Sequence, residues 1–162
     1  MIQALLLAAL CVGQDVGARV ASLVDEGRFV EAISMAGQVD GSEGAWLETW
    51  TRHQAGDLSG ALSCARAGLQ DEPHDLRLLG QASYISNSLM LADEALFYSD
   101  RMLELGDERG RAQRDHALGL IAQRDSVERS LLLSYVVISL AAALLMWALR
   151  LGTLARSSAL HP

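Results

Sequence analysis

The side chains able to do chemistry are few and scattered. The four histidines, His53, His74, His116 and His161, share no His-x-x-x-His interval, the spacing that puts two imidazoles on one helical face to hold a zinc ion. Cys11 and Cys64 are the two cysteines, and they supply neither a metal-binding pair nor a disulfide framework. No Gly-rich phosphate loop, nucleophile elbow or Ser/His/Asp grouping is present. Asp25-Glu26, Asp71-Glu72, Asp93-Glu94 and Asp107-Glu108 recur near expected helix ends. Asp93-Glu94 suits a first helical turn, where negative charge opposes the helix dipole, and it needs no acid–base role. All 13 basic residues are Arg, which removes Schiff-base and other lysine chemistry. The expectation is a protein that is not an enzyme and uses no cofactor and no metal.

What remains is a scaffold, and one stretch governs how it is moored. Leu131–Leu149, LLLSYVVISLAAALLMWAL, carries no charge and is closed by Arg129 and Arg150. At ~1.5 Å per residue it forms a rod of roughly 29 Å, matching the ~30 Å hydrocarbon layer of a bilayer. Tyr135 and Trp147 lie near its ends, where amphipathic rings prefer the interface. A buried core helix would need neighbours on every side, and few residues follow to provide them. Residues 131–149 are therefore expected to cross a lipid bilayer. Within them Ser139 and Ala143 form a small-xxx-small pair of the kind that allows close helix contact.

Charge is divided unevenly about that stretch. The net charge is −7, yet residues 14–129 hold all 20 acidic residues against 11 arginines, and the 150–162 tail is positive. So acidic a soluble part argues against nucleic acid and against docking on anionic lipid. Residues 2–12, IQALLLAALCV, make an apolar run too short to span, and small residues follow it, so 1–13 reads as a signal-peptide-like segment. Its lack of Arg or Lys leaves a buried first helix as the alternative.

From Val16 onward the apolar positions fall into helix pairs separated by breaks. Val16, Val20, Leu23 and Val24 make one face, Gly27 interrupts, and Phe29, Ala32, Ile33 and Ala36 make the next. Trp46, Leu47 and Trp50 precede a break at Gly56-Asp57, with Leu58, Ala61, Leu62, Ala65 and Leu69 after it. Leu79, Ala82, Ile85 and Leu89 precede a weaker break, then Leu91, Ala95, Leu96, Tyr98 and Met102 lead to Gly106. GRFVEAI, GDLSGAL and MLADEAL are one turn-and-helix start written three times, their alanines 29 and 34 residues apart.

This pattern resembles the tetratricopeptide repeat family, a helix-turn-helix of about 34 residues. With Pro73 on the family's proline, the second unit begins at Ser42, and Gly56 and Ala61 fall on its turn glycine and alanine. The third unit places Ser83 on the family's small residue and Ala95 on its alanine, but Met90 replaces the turn glycine and Asp107 the proline. The first unit matches at Gly27 and Ala32 and is short. The implied fold is all-α: a short α-solenoid of about three hairpins over 14–41, 42–75 and 76–107, a capping helix over 108–130, and the transmembrane helix. In the cap, Ala112, His116, Leu118, Leu120 and Ile121 are expected to face inward, with Arg111, Arg114, Arg124 and Arg129 wet.

The resemblance also implies a site. The family's ligands lie in a groove lined by the first helix of each pair. By register these positions are Trp46, Trp50, His53 and Gln54 in the second unit, and Arg77, Tyr84, Asn87 and Ser88 in the third. Trp46 and Trp50, one turn apart, offer an aromatic face to a partner peptide, or else belong to the core. The expected partners are a protein or peptide in the groove and the bilayer, with no nucleic acid and no metal.

The side of the membrane is signalled two ways. A cleaved leader would export the repeats, whereas four arginines shortly before the span (111, 114, 124, 129) against two after it favour a cytoplasmic repeat domain. The expectation adopted is a scaffold on the extracytoplasmic face of a bacterial inner membrane. A cytosol-facing tail-anchored adaptor and a structural subunit of a larger membrane enzyme are the alternatives.

Overall fold

A computed structural model describes residues 16–158, and their side chains through Trp147. The signal-like segment 1–13 and the side chains of the 150–162 tail lie outside the described residues. The described chain is all-helical: α1 over 16–25, α2 Phe29–Ala36, α3 Gly41–Gln54, α4 Leu58–Asp71, α5 Leu76–Ser88, α6 Ala92–Glu104 and α7 Arg109–Ser158. It divides into two compact units, Met1–Ile121 and Ala122–Pro162.

In the first unit one turn is built four times over. At the end of α1, the Arg28 N–H donates to the Leu23 carbonyl (2.8 Å) and the Gly27 N–H to that of Val24 (2.9 Å). The same two bonds recur after α3, from Asp57 to Arg52 and Gly56 to His53, after α5, from Leu91 to Ser86 and Met90 to Asn87, and after α6, from Asp107 to Met102 and Gly106 (φ 82°) to Leu103. This paired pattern satisfies carbonyls that a helix end leaves open, and it requires a left-handed residue at its corner. Gly27 (φ 74°) and Gly56 (φ 80°) take that conformation without a Cβ penalty, and Met90 takes it with one (φ 58°). The first three turns then start the next helix identically. The N–H groups of Ala32, Ala61 and Ala95 bond back to the carbonyls of Arg28, Asp57 and Leu91, and all three alanines are fully buried.

Small residues let the helices come close. α3 packs on α4, α4 on α5 and α5 on α6, and α3 also touches α5. A Cβ at Gly68 would stand 2.7 Å from Ala45 and 2.8 Å from Leu78, so α4 passes α3 and α5 at a separation no larger residue permits. Ser83, fully buried on α5, donates its hydroxyl to the Ala95 carbonyl of α6 at 3.2 Å. Two apolar clusters result. Val20, Ala32, Ala36 and Leu47 join α1 to α3, while Ala61, Leu62, Ala65, Leu79, Ala82, Ile85, Tyr98 and Met102 join α4 to α6.

The beginning of α7 docks by a different face from the one its hydrophobic residues suggest. Ala112, His116 and Leu118 are exposed, Leu120 and Ile121 only half-buried, and the buried positions are Gly110 and Ala117. Size, not hydropathy, selects the face. A Cβ at Gly110 would meet the Ser99 carbonyl oxygen at 2.7 Å and Met102 at 3.0 Å, so α7 turns its smallest residue toward α6. That rotation brings Arg114, expected in water, to Asp100 at 2.8 Å.

In the second unit every described side chain from Leu131 to Trp147 is exposed. α7 is long and apolar enough to cross a membrane, with a mean hydropathy of 2.1 over its most apolar window and none of that window buried.

Met90 offers a direct check on the turn analysis. Its side chain is 77% exposed, so Met90→Gly loses little packing and relieves the left-handed strain. The expected result is a gain of about 0.5–1 kcal/mol in denaturant unfolding, after allowing for the freer unfolded chain. Met90→Ile, β-branched at positive φ, is expected to destabilise by at least as much.

Candidate functional site

Because α3 and α5 lie side by side, their outward faces share one concavity. A cavity of about 460 Å³ is lined by Trp46, Trp50, His53 and Gln54 from α3 and by Arg77 and Tyr84 from α5. Asn87 and Ser88 stand on its continuation. They line an adjoining cavity of about 410 Å³ that shares Tyr84 and Gln113 with the first. Arg109 and Gln113 of α7 complete the first wall, and Ala112, Gln113 and His116 the second. No carboxylate lines either cavity among the described residues.

Arg77 holds the two helices in register. Asp75 caps α5, its carboxylate accepting from the backbone N–H groups of Arg77 (2.8 Å) and Leu78 (3.2 Å). The Arg77 guanidinium donates to Glu43 of α3 at 2.5 Å, a partner 34 residues away, and lies over the Trp46 ring, 5.3 Å from its centroid. The cation–π contact contributes about 0.5–1 kcal/mol at so exposed a position. The Glu43 hydrogen bond, followed by that to Asp75, raises the Arg77 pKa, so the ring faces a permanent cation. Two turns along α5 from Arg77, Tyr84 meets His53 of α3 edge to face at 5.3 Å and 77°.

The eight expected residues do not contribute alike. Trp46 and Trp50 are half-buried, packed on the α1–α3 cluster and also lining the groove. Gln54 and Tyr84 are exposed, Tyr84 to 48%. Asn87 is only 7% exposed, and its amide donates to the Gln113 carbonyl (3.1 Å) and side chain (2.9 Å). Its chief role is thus to anchor α7. Ser88 donates back to the Tyr84 carbonyl at 3.0 Å, which leaves its hydroxyl engaged within its own helix. Gly80, Gln81, Arg109 and Gln113 also line the groove and escaped the sequence reading. The first two lie on the same face of α5 as Arg77 and Tyr84, whereas the α7 pair has no repeat register to announce it.

Neither a cysteine nor a carboxylate is among the described lining residues. Burial, more than its Glu48 neighbour, pushes the Cys64 thiol up to about 11, which keeps it protonated at neutral pH and a poor nucleophile. Among the described residues no cluster of His, Cys, Asp or Glu is arranged to hold a metal ion. No protein-family model matches the chain, and no curated protein matches it.

The caps give the unit an acid limit. Burial raises the Asp75 pKa, but the Leu78 and Arg77 N–H groups and the Arg77 side chain outweigh it, leaving a net depression. Asp57 is held low by the Gly60 N–H and then by Arg52, and Glu94 chiefly by Arg66. Carboxylates with depressed folded pKa values stabilise above their unfolded value and lose that contribution as pH falls through the folded one. The melting temperature of the helical unit is expected to hold from neutrality down to about pH 5 and to drop below about pH 4. Asp75→Asn is expected to flatten that acid limb. A decline beginning near pH 6, in the histidine range, contradicts the assignment.

Proposed function

We propose that the chain is a single-pass membrane scaffold whose helical unit is a short solenoid of the tetratricopeptide type, holding a protein partner in the α3–α5 groove. It helps assemble a membrane-associated complex on the extracytoplasmic face of a bacterial inner membrane. It performs no catalysis. The repeat assignment draws support from the buried alanine that follows three of the four matching turns, and from the contact of α3 with α5 across the hairpins.

One observation carries the binding assignment: residues selected by repeat register, Trp46, Trp50, His53, Gln54, Arg77 and Tyr84, converge on a single cavity. Aromatic rings and an arginine in a partly desolvated hollow are the side chains that dominate protein–protein affinity. The amides of Gln54, Gln81 and Gln113 offer donors and acceptors to a peptide backbone. The bare apolar stretch of α7 supports insertion in lipid, which confines the search for a partner to two dimensions.

The test is capture from the native membrane in mild detergent. Trp50→Ala combined with Tyr84→Ala is expected to remove the co-purifying partner, because hot-spot truncations cost about 2 kcal/mol or more each, while helicity by circular dichroism stays unchanged. Undiminished capture by a folded double variant rejects the groove.

A further inference from the structure

The core of the first unit ends before α7 begins. Neither apolar cluster, nor any partly buried residue packed on it, includes a residue beyond Met102. Within 109–121 only Gly110 and Ala117 are buried, and neither has much apolar surface to withdraw from water. Leu120 and Ile121 are half-buried, and the contacts that fix the segment's register are polar. Asn87 donates to the Gln113 carbonyl and side chain, and Arg114 pairs with Asp100. Even that fit is incomplete, since Asn87 Oδ1 is buried without a donor. A cavity of about 410 Å³ is lined from one side by Tyr84, Asn87 and Ser88 and from the other by Ala112, Gln113 and His116.

Segments held by few apolar contacts open at a lower free energy than the core beside them. Here the polar contacts are register-specific, since Asn87 bonds a particular carbonyl of α7, so the segment closes in one place and not along a sliding surface. We infer that residues 109–121 are a latch, docked on α5 and α6 by hydrogen bonds and small residues, which releases while α3–α6 stay folded. Release carries Arg109 and Gln113 out of the groove wall and opens its α7 side. The consequence for a bound partner rests on the groove assignment above; the release itself does not, and its test needs no partner.

The full chain in detergent micelles, with Cys11 and Cys64 replaced by Ser, is given a single thiol at Ala117→Cys or, as the core reference, Ala82→Cys; both alanines are fully buried. Thiol-labelling rates then report how often each site is uncovered. The expected result is labelling at Ala117→Cys about tenfold or more faster than at Ala82→Cys, the signature of sub-global opening. Adding Asn87→Ala is expected to speed the former by a further fivefold or so, the worth of a lost buried hydrogen bond or two, and to leave the latter unchanged. Should a thiol at Ala117 disturb the fold, the acceleration by Asn87→Ala is read at Leu120→Cys, half-buried in the same segment, against the same thiol with Asn87 intact. Equal rates at the α7 and core sites, or an equal acceleration of both by Asn87→Ala, overturn the latch.

Discussion

An apolar rod whose described side chains from Leu131 to Trp147 are all exposed constrains everything else in this protein. From Leu131 to Trp147 a dozen large hydrophobic side chains stand at least half exposed. Taking one such side chain out of water is worth about 1.5–3 kcal/mol, so leaving them all wet forfeits tens of kcal/mol, more than the ~5–15 kcal/mol that holds a typical domain together. Such a deficit demands a cover. Lipid meets the demand without any specific partner, because a helix satisfies its own backbone hydrogen bonds and asks only for an apolar solvent. Ser130 and Ser134 conform, their hydroxyls donating to the carbonyls of Val127 and Ser130.

The helical unit solves a different problem with smaller parts. Its centre is rich in alanine and in small hydroxyl residues (Ser83, Ser86, Ser99, Thr49, Thr51), set among leucines, Val20, Ile85, Tyr98 and Met102, so close helix approach adds to what bulk supplies. Ala32, Ala61 and Ala95 act at equivalent points after equivalent turns, and Gly68 and Gly110 mark the tightest crossings. A core built this way takes in Tyr98 and leaves other large rings at its edge. Trp46, Trp50 and Tyr84 line a hollow, where they are available to another molecule. Arg66 with Glu94 and Arg77 with Glu43 tie residues 28 and 34 positions apart. Both pairs are largely solvated and fix register more than they add stability.

Legibility followed the size of the local signal. Gly27 and Gly56 announce their turns because only glycine takes a left-handed corner freely, and the alanine after each one is equally plain. Met90 conceals the same turn: nothing in its side chain marks positive φ, and the bonds to Ser86 and Asn87 that impose it are set by packing. Six of the residues that the register selects on α3 and α5 line one cavity. Asn87 shared that register, yet its burial under α7 depended on a contact with Gln113 that no spacing foretells. The inward face of α7 was misjudged for a related reason. Hydropathy favours Leu118, while the shoulder formed by Ser99 and Met102 admits only Gly110.

Extraction of membranes at alkaline pH tests directly whether residues 131–149 lie in lipid. The full-length chain is expected to stay with the lipid pellet after carbonate washing, and a chain lacking 131–149 to be released as a folded helical protein. Full-length chain recovered as a monomer in the detergent-free supernatant, with its C-terminal rod shielded by the remaining helices, would contradict it.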